Sequence, residues 1–207
     1  CIGGVLKDMD EDMLSAIRST MKAMNEELRP IAQTFLEDAS VNARLRGLGH
    51  LDKEQALLAG AVGPMLRASG IDYDARETGY AAYDELNFGP ITAVEGDSYA
   101  RVKVRIAELF QSFELIEEII SKIPQGELSV PVKGMPKGEA FIRIEQPRGE
   151  AIYYTKGNGT KFLDRFRLRT PTTSNIPPML DLLKGCQLGD VALLILTIDP
   201  CISCTER

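Results

Sequence analysis

Cys201 and Cys204 stand three residues apart in the segment Asp199-Pro200-Cys201-Ile202-Ser203-Cys204-Thr205-Glu206-Arg207. Thiolates at i and i+3 can converge on one metal ion. The apolar run from Val191 to Ile198 leads directly into them and, if buried, would hold them still. Taken alone, the pair leaves three chemistries open: metal ligation, thiol redox and inert pairing. Structural zinc needs four ligands, and the chain has no second C-x-x-C. Cys186 is a third thiol, but its spacing matches no common zinc finger, and one histidine, His50, cannot make a Cys2His2 site. Thioredoxin-like sites place C-x-x-C at a helix start after an early strand, which does not fit this position.

Other residues could carry chemistry, each beside a plainer reading. Gln146-Pro147-Arg148-Gly149 fits a turn with Pro at its second position and Gly at its fourth. That puts Arg148 at a hairpin tip, where a solvated charge is the ordinary outcome. Asp199 before Pro200 can simply shape a turn. Thr172 can be an ordinary turn hydroxyl, and Cys186 a buried small hydrophobe. His50 is expected in a surface loop. Arg165, Arg167 and Arg169 alternate with Phe166 and Leu168, so they share one strand face, either solvated or meeting a partner.

The 207 residues suffice for one domain, or two small ones, with a sizeable core. Apolar residues make up 44% and charged residues 26%, an ordinary globular composition. A net charge of -6 disfavours nucleic acid as the main partner, because phosphate binding wants a basic surface. Four cysteines, at positions 1, 186, 201 and 204, form no even disulfide framework, so a reducing compartment is expected. The longest apolar run is far shorter than the roughly 20 residues of a spanning helix. The opening Cys1-Ile2-Gly3-Gly4-Val5 lacks an initiator Met and suggests part of a longer protein.

These residues need elements to position them. Residues 8–28 read as a helix with a seam of Leu14, Ile17, Met21, Met24 and Leu28. Pro30 is expected to break or kink it, with Ile31 and Phe35 resuming the stripe and Gly47 and Gly49 ending the second piece. Asp52 opens a short helix through Ala59. Residues 60–96, rich in glycine, read as loop, either functional or surface connections. Residues 98–123 form the clearest helix, capped by Asp97-Ser98 and stopped by Pro124. Two long seams predict an antiparallel, bundle-like helical core. Residues 139–155 and 162–169 alternate as strands do, with turns at 146–149 and 157–159. A helix follows from Ile176-Pro177-Pro178 through Lys184. The expected fold is α+β, mainly α, with residues 1–130 as helical core and 131–207 as hairpin region plus ligand segment, packed as one integrated domain.

With these residues on view, the chain resembles the large subunit of nickel–iron hydrogenases. Asp199-Pro200-Cys201-Ile202-Ser203-Cys204 looks like the ending of the energy-converting, membrane-bound branch, which includes the formate-hydrogenlyase and carbon-monoxide-induced enzymes. Ile2-Gly3-Gly4-Val5 resembles a segment shared with the quinone-site subunit of respiratory complex I. Leu66-Arg67-Ala68-Ser69-Gly70 and Tyr83-Asp84 resemble Leu-Arg-x-Ser-Gly and Tyr-Asp elements of the same superfamily. Glu145-Gln146-Pro147-Arg148-Gly149-Glu150 is similar to its Glu-Ala-Pro-Arg-Gly-Glu element, with Gln146 in place of Ala.

The resemblance implies roles. Cys204 would bridge nickel and iron, and Cys201 would be a terminal nickel ligand. Arg148 and Asp199 would cover the metals. Thr172 would donate to an iron-bound cyanide, and Pro147 would lie near the other diatomic ligand. The cofactor implied is a nickel–iron centre with carbon monoxide and cyanide ligands in the complete subunit. The implied partners are an iron–sulfur small subunit, membrane subunits and, indirectly, an electron-carrier protein, with a peripheral position on the cytoplasmic membrane. The function implied is reversible reduction of protons to hydrogen. The rivals are a complex-I-like quinone-reducing subunit, which generally lacks the terminal cysteine pair, and a zinc or interaction module. Two departures stand out. The family's Arg-x-Cys-Gly-x-Cys element and proton-relaying glutamate, both N-terminal, are absent from these residues, and Cys1 does not replace them. Two thiolates cannot build the centre, so these residues alone are expected to be inactive and can lack it. Arg207 stands where many soluble relatives carry a histidine supporting magnesium, so magnesium is not expected. Ending there resembles a mature subunit trimmed at its C-terminus.

Overall fold

The computed structural model describes residues 3–124 and 126–206. Cys1, Ile2 and Arg207 lie outside the described residues. The first helix, α1, spans Glu11–Glu37. It starts where the Asp10 carboxylate accepts the Met13 N–H at 2.8 Å, three residues later than the charge pattern suggested. Pro30 does not break it. The residue lies on the exposed face, where water can bond the carbonyl that its missing N–H leaves free. The inner stripe therefore continues through the half-buried Ala32 and Leu36, and Ile31 and Phe35 are exposed.

Helix α2 (Ala39–Leu45) follows, capped by Asp38, and α3 (Lys53–Leu58) begins with a capping box of Asp52 and Gln55. The glycine-rich stretch holds a single helical turn, α4 (Pro64–Arg67), and two 3-10 turns at Ala75–Thr78 and Tyr83–Glu85. Its first part is not a surface connection, since residues 61–69 are buried without interruption, whereas residues 76–92 are half-buried or exposed. Helix α5 (Ser98–Lys122) runs antiparallel to α1. Along α1, Arg18 meets Glu117, Arg29 lies over Phe110, and the Leu36 carbonyl accepts from Tyr99, in descending order along α5.

Strands β1 (Lys137–Gln146), β2 (Gly149–Asn158) and β3 (Leu163–Arg169) form one antiparallel sheet in that order. Helix α6 (Pro171–Leu183) starts earlier than expected, because Pro171 suits the first helical position, where an N–H has no partner. Thr172 thus sits in a helix turn, not in a loop. Helix α7 (Leu188–Ile198) contains the apolar run, but only one face is covered: Leu194, Thr197 and Ile198 are buried, and Leu196 is exposed. A last turn, α8 (Ile202–Thr205), carries Cys204. The core joins Leu51, Ala56, Ala61, Met65 and Leu66 to Leu194 and Ile198, with Met179 and Leu182 of α6 against it. Cys186 is half-buried against this cluster, less enclosed than expected. No described helix is long and apolar enough to cross a membrane.

Candidate metal-ligand site

The end of α7 sets the geometry. Asp199 adopts a left-handed conformation (φ 59°, ψ 59°), and its N–H closes the helix on the Ile195 and Leu196 carbonyls. A non-glycine residue held there costs energy and marks a constrained position. Pro200 follows and prevents the helix from resuming. The chain turns, and Cys201 becomes the N-cap of α8, with Cys204 one turn on.

Three threonines and α6 secure this turn. The Thr172 hydroxyl accepts the Cys201 N–H at 3.1 Å and also bonds Cys204. The Thr170 hydroxyl donates to the Cys204 carbonyl at 2.6 Å, and Thr205 donates to the Cys201 carbonyl at 2.9 Å. Cys204 is buried and Cys201 half-buried. Hydrogen bonds from Ser203, the Cys204 backbone and the Cys204 thiol bring the Cys201 thiol down to about 7. Burial and the adjacent Cys201 push the Cys204 thiol up. The two thiols therefore share protons as a pair, and the half-exposed one ionises first.

Arg148 is not a free charge at the hairpin tip. Its Nε lies 3.0 Å from the Asp199 carboxylate. The β1–β2 turn that carries it is pinned by backbone contact. A Cβ on Gly63 (φ +65°) would fall 2.3 Å from the Gly149 Cα, so only two glycines can meet there. Asn175 of α6 adds a brace, accepting the Val62 N–H at 2.9 Å and donating to the Val62 carbonyl at 3.2 Å. Pro147 lies in the same turn, and Gln146 places its amide oxygen 3.9 Å from the Cys204 sulfur.

Helix α5 supplies a second cation. Arg105 reaches Asp199 at 3.3 Å and donates to the Ile198 carbonyl at 2.7 Å, capping the end of α7. Burial lowers its pKa, and Asp199 partly restores it. One turn earlier, Arg101 is buried and donates to Gly49, Gly96, Ser98 and Thr197, and burial brings it down to about 10. Two guanidiniums thus share the one Asp199 carboxylate beside the thiols.

All six candidate residues, Pro147, Arg148, Thr172, Asp199, Cys201 and Cys204, thus fall into one region. Arg165 and Arg167 remain exposed on β3, and Arg169 pairs with Glu150. His50 is exposed in a loop between α2 and α3. Arg105, Asn175 and Gly63 carry no local signal as site residues. Arg101 and Arg105 are spaced i and i+4, which could have hinted at a shared face. Among the described residues no group of three or more His, Cys, Asp or Glu side chains gathers around the thiols.

A mainly helical fold with a small hairpin sheet places the chain in a class shared by hydrogenase and NADH-quinone oxidoreductase subunits. The chain belongs to the family described as the 49 kDa subunit of the respiratory-chain NADH dehydrogenase, which it matches over residues 1–134 and 130–207. It is 37% identical, along its whole length, to a carbon monoxide-induced hydrogenase of Rhodospirillum rubrum, of which it covers 58%. It is 35% identical, again over its whole length, to the membrane-bound hydrogenase alpha subunit of Pyrococcus furiosus, covering 52%. It is 33% identical over 95% of its residues to an NADH-quinone oxidoreductase subunit of Herpetosiphon aurantiacus, covering 55%. A chain of the membrane-bound sulfane sulfur reductase, an archaeal respiratory membrane complex, matches 99% of it at 32% identity with a TM-score of 0.93, over 58% of that chain. The chain spans a little over half the length of the relatives it matches.

Proposed function

We propose that this chain is the C-terminal part of the catalytic subunit of an energy-converting nickel–iron hydrogenase, which reduces protons to hydrogen with electrons from an iron–sulfur subunit. The observation that supports it most is the approach of Arg148 and Asp199 over a turn that presents Cys201 and Cys204 together. The donor set fits one half of a nickel–iron centre: two soft thiols on one turn, one of them ionising near neutral pH. The remaining ligands have to come from elsewhere in the complete subunit. When bound, the centre supplies the redox-active site at which protons and electrons combine. The residues of this chain would hold and screen it. Cys201 and Cys204 would be the ligands, and Thr172 fixes the backbone between them. Arg148 and Arg105 would provide positive charge that favours anionic ligands there. Asp199 orients both guanidiniums. Partner subunits, an attachment to a membrane complex and a cytoplasmic position are part of the same proposal.

A second reading draws on the sulfane sulfur reductase relative. Two adjacent thiols that share protons can also act as a dithiol on sulfur substrates. A quinone-reducing role and a bare zinc module are the further rivals. Metal analysis and infrared spectroscopy of the complete subunit, purified in its complex, separate them. Nickel and iron with carbonyl and cyanide bands are expected, and both Cys201→Ser and Cys204→Ser should lose nickel. Zinc alone, or no metal with full dithiol reactivity, overturns the hydrogenase reading.

A further inference from the structure

A cavity of about 470 Å³ opens against Asp199, Pro147 and Gln146. Its other walls include Arg67, Arg76, Arg105, Glu108 and Glu145. It therefore connects the cover of the thiol site with a charged cluster that the proposed function does not use. Gln146 joins the two sides, since its amide oxygen also approaches the Cys204 sulfur.

The cluster is centred on Arg67, which is 1% exposed. Its Nε lies 2.8 Å from Glu108, and its Nη1 lies 2.9 Å from Glu145 and 3.1 Å from Asp74. Arg76 pairs with Asp74 at 2.7 Å. Three carboxylates thus face two guanidiniums in a buried setting. Glu150, cross-strand from Glu145, is already held by Arg143 and Arg169. Arg105, shared with Asp199, also lies in the field of Glu108 on the cavity wall, so the charges around the cavity are close to balance and burial is what weighs on Glu145. The remaining groups facing Glu145 are neutral: the Ala75 N–H, which bonds its carboxylate, and the Tyr80 hydroxyl, which accepts its backbone N–H at 2.9 Å. Tyr73 is also neutral there, pushed up to about 12 chiefly by burial.

A carboxylate shut away from water, close to a second one, is costly to keep charged, and one bound proton relieves that cost. Glu145 is where it goes: burial and the Asp74 charge raise its pKa to about 7 despite Arg67. A separate observation calls for water in the cavity. The Nη2 of Arg67 is buried without a hydrogen-bond partner, and it belongs to a residue of the cavity wall. A buried donor of this kind is normally satisfied by ordered water, and the cavity has room for several molecules.

We propose that Glu145 holds a proton in the resting protein and passes it, through water in this cavity, to the Asp199–Gln146 side of the thiol site. The role rests on the hydrogenase reading, in which that site consumes protons. The step is a proton transfer alone. The Glu145 O–H bond breaks, a cavity water takes the proton and hands one on, and no electron moves. The carboxylate left behind is held by Arg67 and takes its next proton from solvent. Glu145 is a relay residue that touches neither metal nor thiol.

The test uses the complete subunit in its complex, labelled with carbon-13 glutamate. The native protein is expected to show the C=O band of a buried carboxylic acid below neutral pH, shifted in heavy water and fading as pH rises. Glu145→Gln should remove that band and lower hydrogen evolution about a hundredfold with nickel content unchanged, the usual scale for a lost proton carrier. Glu145→Asp should restore part of both. If Glu145→Gln fails to fold, the titrating band of the native protein and the Glu145→Asp rate decide instead. A nickel-loaded complex with no such band, or one whose rate survives Glu145→Gln, refutes the relay alone. A folded complex without nickel refutes the hydrogenase reading and the relay with it.

Discussion

Replacing Arg67 by Met tests whether the buried cluster behaves as the charges around it require. The substitution keeps most of the side-chain volume and removes the guanidinium that binds Glu108, Glu145 and Asp74. Arg76 then remains as the cation of the cluster, on Asp74. Breaking a buried ion pair by removing one partner costs about 3–5 kcal/mol, because the other charge stays buried. For a protein of this size that is a fall in Tm of roughly 6–20 °C. The loss must also depend on pH. In the native protein the raised pKa of Glu145 means that its contribution to stability is full below its ordinary value and is lost as pH rises through about 7. Moving it that far corresponds to about 3 kcal/mol between the two limits. Asp74 is lowered instead, so its contribution is lost only in acid, below the ordinary carboxylate range. Without Arg67 both carboxylates lose an interaction that favours their charged forms. The defect of Arg67→Met should therefore be smaller at pH 5.5, where Glu145 is protonated, and largest near pH 8. Urea unfolding at both pH values, followed by circular dichroism, measures it. A defect below about 1 kcal/mol, the range of an exposed pair, would refute the reasoning. So would an equal defect at the two pH values.

Two further substitutions probe the site. Gly63→Ala should loosen the β1–β2 turn, because the new Cβ meets the Gly149 backbone at 2.3 Å and the backbone is left-handed. A cost of about 2 kcal/mol or more is expected from strain alone, with faster proteolysis near Arg148, and native stability in this variant would contradict the close-packed account. Asp199→Asn removes the carboxylate shared by Arg148 and Arg105 while keeping its shape. Hydrogen evolution should fall at least about tenfold, as for other preorganised electrostatic partners, with nickel retained. Unchanged turnover would show that Asp199 serves only to cap α7.

The Arg67 cluster also shows how far the sequence carries the structure. The long helices α1 and α5 are legible because their apolar residues recur at helical spacing and aspartates cap them. The hairpin is legible from alternation and from Pro147 and Gly149. Pro30 is misleading, because the cost of a proline depends on whether water can reach the carbonyl it frees, and that is decided by which face packs. The glycine-rich segment is misleading in a similar way. Gly63, which looks like loop slack, permits contact between backbones, and residues 61–69 are core, while residues 76–92 stay at the surface.

By itself, the sequence determined which atoms are available: two thiols one turn apart, an Asp-Pro before them, and an arginine at the tip of a turn. Those are local matters, set by residue type and spacing over a few positions. Tertiary structure alone decided that Arg148 meets Asp199 across 51 residues, and that Arg105 reaches the same carboxylate from α5. It also decided that Asn175 braces the turn and that the distant Glu108 and Glu145 join Asp74 on Arg67. Each of these depends on how helices and hairpin pack over a shared core. The balance of charge in a buried space, which sets where protons reside, appears only after that packing is complete.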